Sequence, residues 1–347
     1  MTMTPAQIDQ ALEAGIITPQ QARDMRGEIA KGPDETPASG AMIGAEDEMR
    51  FLRSFSDVFI GIGLLILGAG LAAMRGMLPA PIGYLIVIAA VYIMAEFFGR
   101  RKRAHFPTLI LAVLFLIFVR GLTQEYLGNL GATIVTLAAM LGFYWRIRLP
   151  FVVALIAVSI IYLVLAGINA VAPDILRSGF GIVLAIMGFA VFAVALLYDI
   201  NDVERRTRFA DNAFWLHLLA APMIIHGLAF TAVKTKTDLM FGFLPIISIE
   251  LHEAVIILTI VAVLCVIGLA INRRALIVSS LGYAGFALVY LAQGAGMEIG
   301  TALIAALILL GAGIVLLGVA WHPARNLLIR VLPRWRIFPP AQTEVST

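Results

Sequence analysis

The sequence predicts an all-α polytopic membrane helix bundle of about ten transmembrane helices. Three observations carry that prediction. The 347 residues are 61% hydrophobic and only 14% charged, where soluble domains average about 45–50% apolar and roughly 25% charged. The apolar residues gather into ten helix-length runs, and arginine and lysine crowd into alternate gaps between them.

A helix needs about 20 apolar residues to cross ~30 Å of hydrocarbon. The runs cover 55–74, 79–98, 106–122, 127–145, 150–169, 179–198, 213–233, 251–271, 275–292 and 299–320. None shows the two-residue alternation of a membrane β-barrel. The third run is the shortest and carries Arg120 near its end. Of the 25 Lys and Arg residues, 20 fall in the even-numbered gaps and the two terminal segments. Only Arg75, Arg177, Lys234 and Lys236 fall in the others, and Arg120 lies within a run. Because cations are retained on the cytoplasmic side, this alternation predicts ten spans with both termini in the cytoplasm of a bacterium, across its inner membrane. The polar start of the chain has no apolar signal core, and no lipidation motif closes it.

Residues 1–31 read as a cytoplasmic helical hairpin. Thr4-Pro5 supplies a cap and a first helical position, Ile8, Leu12 and Ile16 or Ile17 form a stripe, and Gly15 ends the helix. Thr18-Pro19 starts the second helix, with Ala22, Met25 and Ile29 on one face. Some 28 residues bury little core alone, so residues 4–31 are expected to dock on the membrane domain, a second copy or a cytoplasmic partner. Residues 32–44 read as a flexible linker and 45–320 as the transmembrane bundle, with 45–54 leading helically into the first span. Residues 321–347 form a basic tail. Leu327, Leu328, Val331 and Leu332 lie among Arg325, Arg330, Arg334 and Arg336, with Trp321 and Trp335 suited to the headgroup zone. This tail is expected to lie on anionic lipid headgroups rather than to bind nucleic acid.

The passages ALEAGIITPQQA, FLRSFSDVFIGIGLLILGAG, RTRFADNAFWLHLLAAP and WHPARNLLIRVLP together resemble multi-pass inner-membrane proteins of proteobacteria grouped under domains of unknown function. The resemblance spans most of the chain. It implies a recurring fold and brings no activity with it.

Catalytic signatures of the Walker, HExxH, GxSxG and CxxC types are not legible, so the sequence points away from an enzyme and to no cofactor or metal. Cys265, the one cysteine, sits in an apolar run and reads as packing. Gly61-x-Gly63 and Gly296-x-x-x-Gly300 read as close helix contacts. The spacing of Gly61, Gly63 and Gly70 is echoed by Gly179, Gly181 and Gly188, a faint hint of an inverted repeat.

Ionisable side chains at membrane depth are costly and mark candidate sites. Near the outer ends of the spans lie Arg120, Glu125, His226, Glu250, His252, Glu253 and Glu298, with Gln124, Asn129, Asn169 and Gln293 at similar depth. Arg120 is 13 residues past Pro107, about 20 Å along a helix. Glu250 and Glu253 share a face in the first turn of the eighth span, where the helix dipole favours anions. Together these residues suggest an outward-facing polar vestibule in which Arg120 anchors a small polar or anionic solute. Taken singly, each reads as a solvated rim residue. At the inner face, Asp199–Asp211 is dense in charge. If it is helical, Asp202 meets Arg205 and Arg206, and Arg208 meets Asp211. With His217 these residues suggest a cytoplasmic gate or headgroup contact, or simply a loop tied by surface ion pairs. His217 and His226 flank Pro222 at a nine-residue separation, which puts them on opposite faces of a straight helix. The two function classes left standing are a solute binder or transporter, and a scaffold or sensor whose hairpin docks a cytoplasmic partner.

Overall fold

Lipid offers a backbone no hydrogen-bond partner, so apolar runs of this length fold as helices whose N–H and C=O groups satisfy one another. A computed structural model describes residues 55–203, 205, 207–232 and 251–332, the backbone of 238–240 and 244–246, and a few positions between 8 and 22. Its helices in chain order are α1 (Phe55–Arg75), α2 (Ala80–Glu96), α3 (His105–Ile147), α4 (Phe151–Val171), α5 (Pro173–Asn201), α6 (Arg208–Ala232), α7 (Leu251–Ala270), α8 (Arg274–Gly294) and α9 (Ile299–Val331). Among the described residues these nine are long and apolar enough to cross a membrane. The chain is a multi-pass, all-α membrane protein. The loop after α6 adds a two-stranded antiparallel ribbon that hydropathy does not signal, β1 (Asp238–Met240) against β2 (Leu244–Ile246).

Nine helices accommodate ten apolar runs because α3 contains two of them. Its 43 residues would extend about 65 Å if straight, twice a hydrocarbon core. The chain instead reverses at Gly128, whose φ of 66° and ψ of −173° lie outside the helical region. Thr123 Oγ1 lies 3.4 Å from the carbonyl oxygen of Ala132, nine residues on, a separation that a continuous helix would stretch to about 13 Å. Residues 105–127 and 129–147 are therefore two antiparallel arms. Glycine is almost the only residue that adopts this backbone conformation.

Three apolar cores hold the membrane unit together. In the first, Val87 and Val91 of α2 meet Leu111 and Phe115 of the first α3 arm, Met140 and Phe143 of the second, and Val152 of α4. The Phe115 and Phe143 rings sit 5.2 Å apart, with Tyr92 stacked beside both. In the second, Ala221 and Ile225 of α6 meet Ile257 and Val261 of α7 and Leu276 and Ala287 of α8. The other face of α6 packs Leu216 and Ala220 on Val191 and Ala195 of α5. Helix α6 is thus central, with 56% of its apolar window buried against 11% for α9. Phe59, Ile66, Ile186, Leu309 and Val319 are exposed, which suits a lipid solvent and would be costly in water.

Glycine sets the closest approach, between α5 and α6. A Cβ on Gly227 would lie 2.7 Å from the Cα of Ala185, one on Gly181 2.8 Å from the carbonyl oxygen of Gly227, and one on Gly188 2.9 Å from the backbone nitrogen of Ile224. Gly61 packs on Phe106, whereas Gly63, Gly70 and Gly179 face open space. The echoed glycine spacing therefore does not correspond to equivalent contacts in the two halves.

The arginine-rich ends of the helices lie together. Glu96 accepts hydrogen bonds from Arg100 at 2.7 Å and from Arg146 at 2.7 and 3.2 Å, and Phe151 of α4 stacks edge-on against Trp215 of α6. After Glu96 the helix widens into a π-turn at Phe97–Arg101 before the chain reverses. The basic stretch expected as an interfacial helix from residue 321 continues α9 to Val331, and Trp321 and Arg325 within it are buried. Arg330 remains at the exposed face, while Arg334, Arg336 and Trp335 lie outside the described residues, as do the linker, residues 45–54 and most of the hairpin. Of residues 1–31, Ile8 and Ala22 are buried and Leu12 is half-buried.

Two substitutions separate backbone strain from packing. Gly128→Ala adds a Cβ that meets nothing, yet it is expected to destabilise by ~1–3 kcal/mol through its φ/ψ alone. Gly142→Ala, equally unobstructed but helical, is expected to be neutral or to stabilise by ~0.5–1 kcal/mol. Thermal unfolding of the purified variants in detergent measures both, and equal effects would remove the hairpin at Gly128.

Candidate functional site

Two polar arrangements interrupt the apolar bundle, one closed and one open. The closed one begins at Asp199, in the last turn of α5. One carboxylate oxygen accepts from Arg273 through Nε at 3.0 Å and also through Nη2, and the other lies 2.8 Å from His217 Nε2. An ionised carboxylate only accepts hydrogen bonds, so Nε2 of His217 carries the proton in this contact. Arg273 and His217 are essentially inaccessible, at 1% and 0% exposure. Arg273 precedes α8, so the contact ties α5, α6 and the α7–α8 turn together.

Neighbouring polar groups extend this lock. Arg205, with φ of 53°, donates to the carbonyl oxygens of Ile271 and Asn272 at 2.9 and 2.8 Å, just past the end of α7. Trp321 Nε1 donates to Asn272 Oδ1 at 2.9 Å, and the Arg274 guanidinium lies 5.1 Å from the centre of the Trp321 ring. Asp202 accepts from the backbone N–H and the hydroxyl of Thr207 at 2.9 and 2.7 Å, and Thr207 Oγ1 caps Phe209 N–H at 3.1 Å. The chain leaves the helix after Asn201; the Arg205 backbone N–H donates to the Asp202 carbonyl oxygen at 3.0 Å in the turn that follows, and the Arg205 side chain reaches the α7–α8 turn. Arg208 is exposed and Asp211 half-buried in the first turn of α6, and Arg206 lies outside the described residues.

The open arrangement surrounds Arg120. Its Nη1 donates to Gln124 Oε1 at 2.6 Å, one turn along the same arm, and its Nη2 to Asn129 Oδ1 at 2.5 Å, just beyond the Gly128 reversal. Its guanidinium carbon lies 5.9 Å from the centre of the Tyr162 ring on α4. These side chains line a groove of about 530 Å³, together with Gly121 from the first arm, Thr133 and Thr136 from the second, and Ser159 from α4. Arginine donates and never accepts, so both amide oxygens must face it. Among the described residues no carboxylate pairs with Arg120.

The other residues proposed for the vestibule stand apart from this groove. Glu125 is exposed on the α3 arm, and Glu298 is exposed immediately before α9. Glu253 is buried in the first turn of α7 beside exposed His252, and Glu250 lies outside the described residues. His226 is held by Tyr283 of α8, with Nε2 3.2 Å from the phenol oxygen. None of those that are described lines the groove, which α3 and α4 build among the described residues. Depth along a span fixes height in the bundle but not position around it. The two histidines of α6 do face different partners, α5 for His217 and α8 for His226. No group of three or more metal-ligating side chains converges among the described residues. No family model, curated protein or solved structure matches the chain.

The missed residues are Asp199 and Arg273. Each marks the boundary of an apolar run, but 74 positions separate them, and nothing local pairs them. Asp199→Ala leaves Arg273 buried without its carboxylate and is expected to cost roughly 3–5 kcal/mol. The double variant Asp199→Ala with Arg273→Met is expected to be more stable than Asp199→Ala alone. Unfolding in mild detergent measures the cycle, and additive losses would rule out the lock.

Proposed function

We propose that this is a bacterial inner-membrane protein, with both chain ends cytoplasmic, that binds or transports a small polar or anionic solute at the Arg120 groove. Orientation rests on the 20 of 25 cations assigned to one side. In that orientation the basic segment Arg100–Arg103 meets anionic headgroups, each cation contributing about 1 kcal/mol near the surface. The groove then faces the periplasm, since Arg120 lies 15 residues into α3, about 22 Å along a path of ~30 Å.

A single observation carries the functional reading. A permanently charged guanidinium sits half-buried in a groove whose hydrogen-bond acceptors are neutral amides. Charge at membrane depth is costly and marks function when it faces a cavity. Here the protein supplies polarity around Arg120 without supplying the anion, and a solute carboxylate fits the remaining donors of the planar fork. The rest of the lining is mostly apolar, with Leu116, Ile117 and Val158 beside the amides and Tyr162, so the guanidinium is the strongest polar feature a solute would meet.

The purified protein in detergent is expected to melt higher in the presence of at least one small carboxylate, by ~2.7 kcal/mol of stability at a hundredfold excess over Kd. Arg120→Gln, which keeps the neutral hydrogen bonds, should show no shift. If no carboxylate moves the parent protein, the solute reading fails. A phenotype that is lost on deletion of residues 1–44 would then favour a scaffold whose hairpin docks a cytoplasmic partner.

A further inference from the structure

The Arg120 groove is polar at one end only. Arg120, Gln124 and Asn129 gather on the side of the Gly128 reversal. One turn further from the reversal the lining becomes Leu116 and Ile117 of the first α3 arm and Val158 of α4. Leu116 and Ile117 stand four and three residues before Arg120, so they share its helix face. Val158 stands one turn before Tyr162, whose ring lies beside the guanidinium. An apolar stretch of about 6 Å therefore runs on from the cation. Thr133, Thr136 and Ser159 add little polarity to it. Each is at most 3% exposed and gives its proton to the carbonyl oxygen one turn earlier.

From this division we propose, resting on the solute reading above, that the groove selects a free monocarboxylate with a short apolar body. The oxyanion sits on Arg120, which has five N–H groups and spends only one on Gln124 and one on Asn129. The hydrocarbon lies along Leu116, Ile117 and Val158, where its burial is favourable. A hydroxylated acid would carry polar groups onto those three side chains and lose their hydration without return. A bare anion engages the charged end alone. A neutral chain leaves the guanidinium unneutralised. The volume, about 530 Å³, falls within the range of small-molecule clefts.

Titration calorimetry of the full chain in phosphatidylcholine nanodiscs, with empty discs as the blank, tests this with four probes. Hexanoate carries the anion and the chain, acetate the anion alone, gluconate the anion with a hydroxylated body, and hexanol the chain alone. Complete burial of a methylene is worth about fourfold in affinity. With partial burial in an open groove, hexanoate is expected to bind roughly tenfold tighter than acetate. Gluconate should bind no tighter than acetate, and hexanol should show no saturable binding. Arg120→Gln abolishes binding of all three acids. Ile117→Ala and Val158→Ala, which keep the charge, weaken hexanoate several-fold and leave acetate unchanged. Melting temperatures near that of the parent establish that these variants are folded. Equal affinities for the three acids, all lost in Arg120→Gln, overturn the apolar selectivity and leave the carboxylate reading standing. Binding of no acid overturns both, and saturable binding of hexanol overturns the role of the anion. A lipid headgroup bearing its own chains offers the same pairing of oxyanion and hydrocarbon. Repeating the hexanoate titration at about 0.5 M salt, which screens the disc surface, with and without phosphatidylglycerol separates the two sources. Affinity lost only with phosphatidylglycerol assigns the site to lipid and overturns the proposal, whereas equal affinity in the two discs supports a free acid.

Discussion

The structure depends on one constraint: a bilayer core contains nothing to hydrogen-bond with. Every polar group carried into it must find its partner within the protein. The backbone meets this by helix formation throughout, and the hydroxyls meet it locally. Thr108, Thr123, Thr136, Ser159, Thr231 and Thr259 each donate to the carbonyl oxygen four residues earlier, a pairing that lets Ser and Thr sit in apolar helices. Where the helix breaks, a special residue absorbs the break. Gly128 reverses α3 in a conformation that few other residues reach, and Arg148, Arg205 and Asn272 take left-handed backbone angles at the arginine-rich end.

The same constraint distinguishes the two polar clusters. Asp199, Arg273 and His217 complete one another: charge is balanced within the protein, both carboxylate oxygens are engaged, and the result fastens α5, α6 and the α7–α8 turn. Such a closed set has little left to offer a ligand, and its natural role is to hold the central α6 in place. Around Arg120 the balance is left open. The amides orient the guanidinium without neutralising it, and the neighbouring hydroxyls have already spent their protons on the backbone. Charge at membrane depth is costly and, where it faces a cavity, is a mark of function.

Hydropathy and the placement of arginine made the helical bundle legible, because both act over whole spans and do not depend on which helices touch. The runs at 106–122 and 127–145 are found as the two arms of α3, although the helix is nominally continuous, because Gly128 interrupts the dihedrals without interrupting the apolar pattern. Pairing between spans was far less legible. Glu253, Glu298 and Arg120 read from sequence as lying at a similar depth, but depth says nothing about which face of which helix a residue occupies. Asp199 and Arg273 were visible as charges at the ends of runs, yet their contact requires knowing that the α5–α6 pair meets the α7–α8 turn. The α5–α6 approach through Gly181, Gly188 and Gly227 had a sequence signal in the small residues themselves, but not the identity of the partner helix. Arg120 is the exception, because its partners Gln124 and Asn129 are near in sequence and needed only the reversal at Gly128.

The account turns on whether the Arg120 groove is wet and positively charged in a membrane, and thiol accessibility in vesicles reads this most directly. With Cys265 replaced by alanine, Tyr162→Cys places a thiol in the groove and Ile186→Cys places one on the exposed apolar face of α5. The account predicts that Tyr162→Cys reacts with membrane-impermeant methanethiosulfonates, faster with the anionic than with the cationic reagent, that Arg120→Gln removes this preference, and that Ile186→Cys stays inert. A groove thiol as unreactive as the one on α5, or one indifferent to the charge of the reagent, would contradict it.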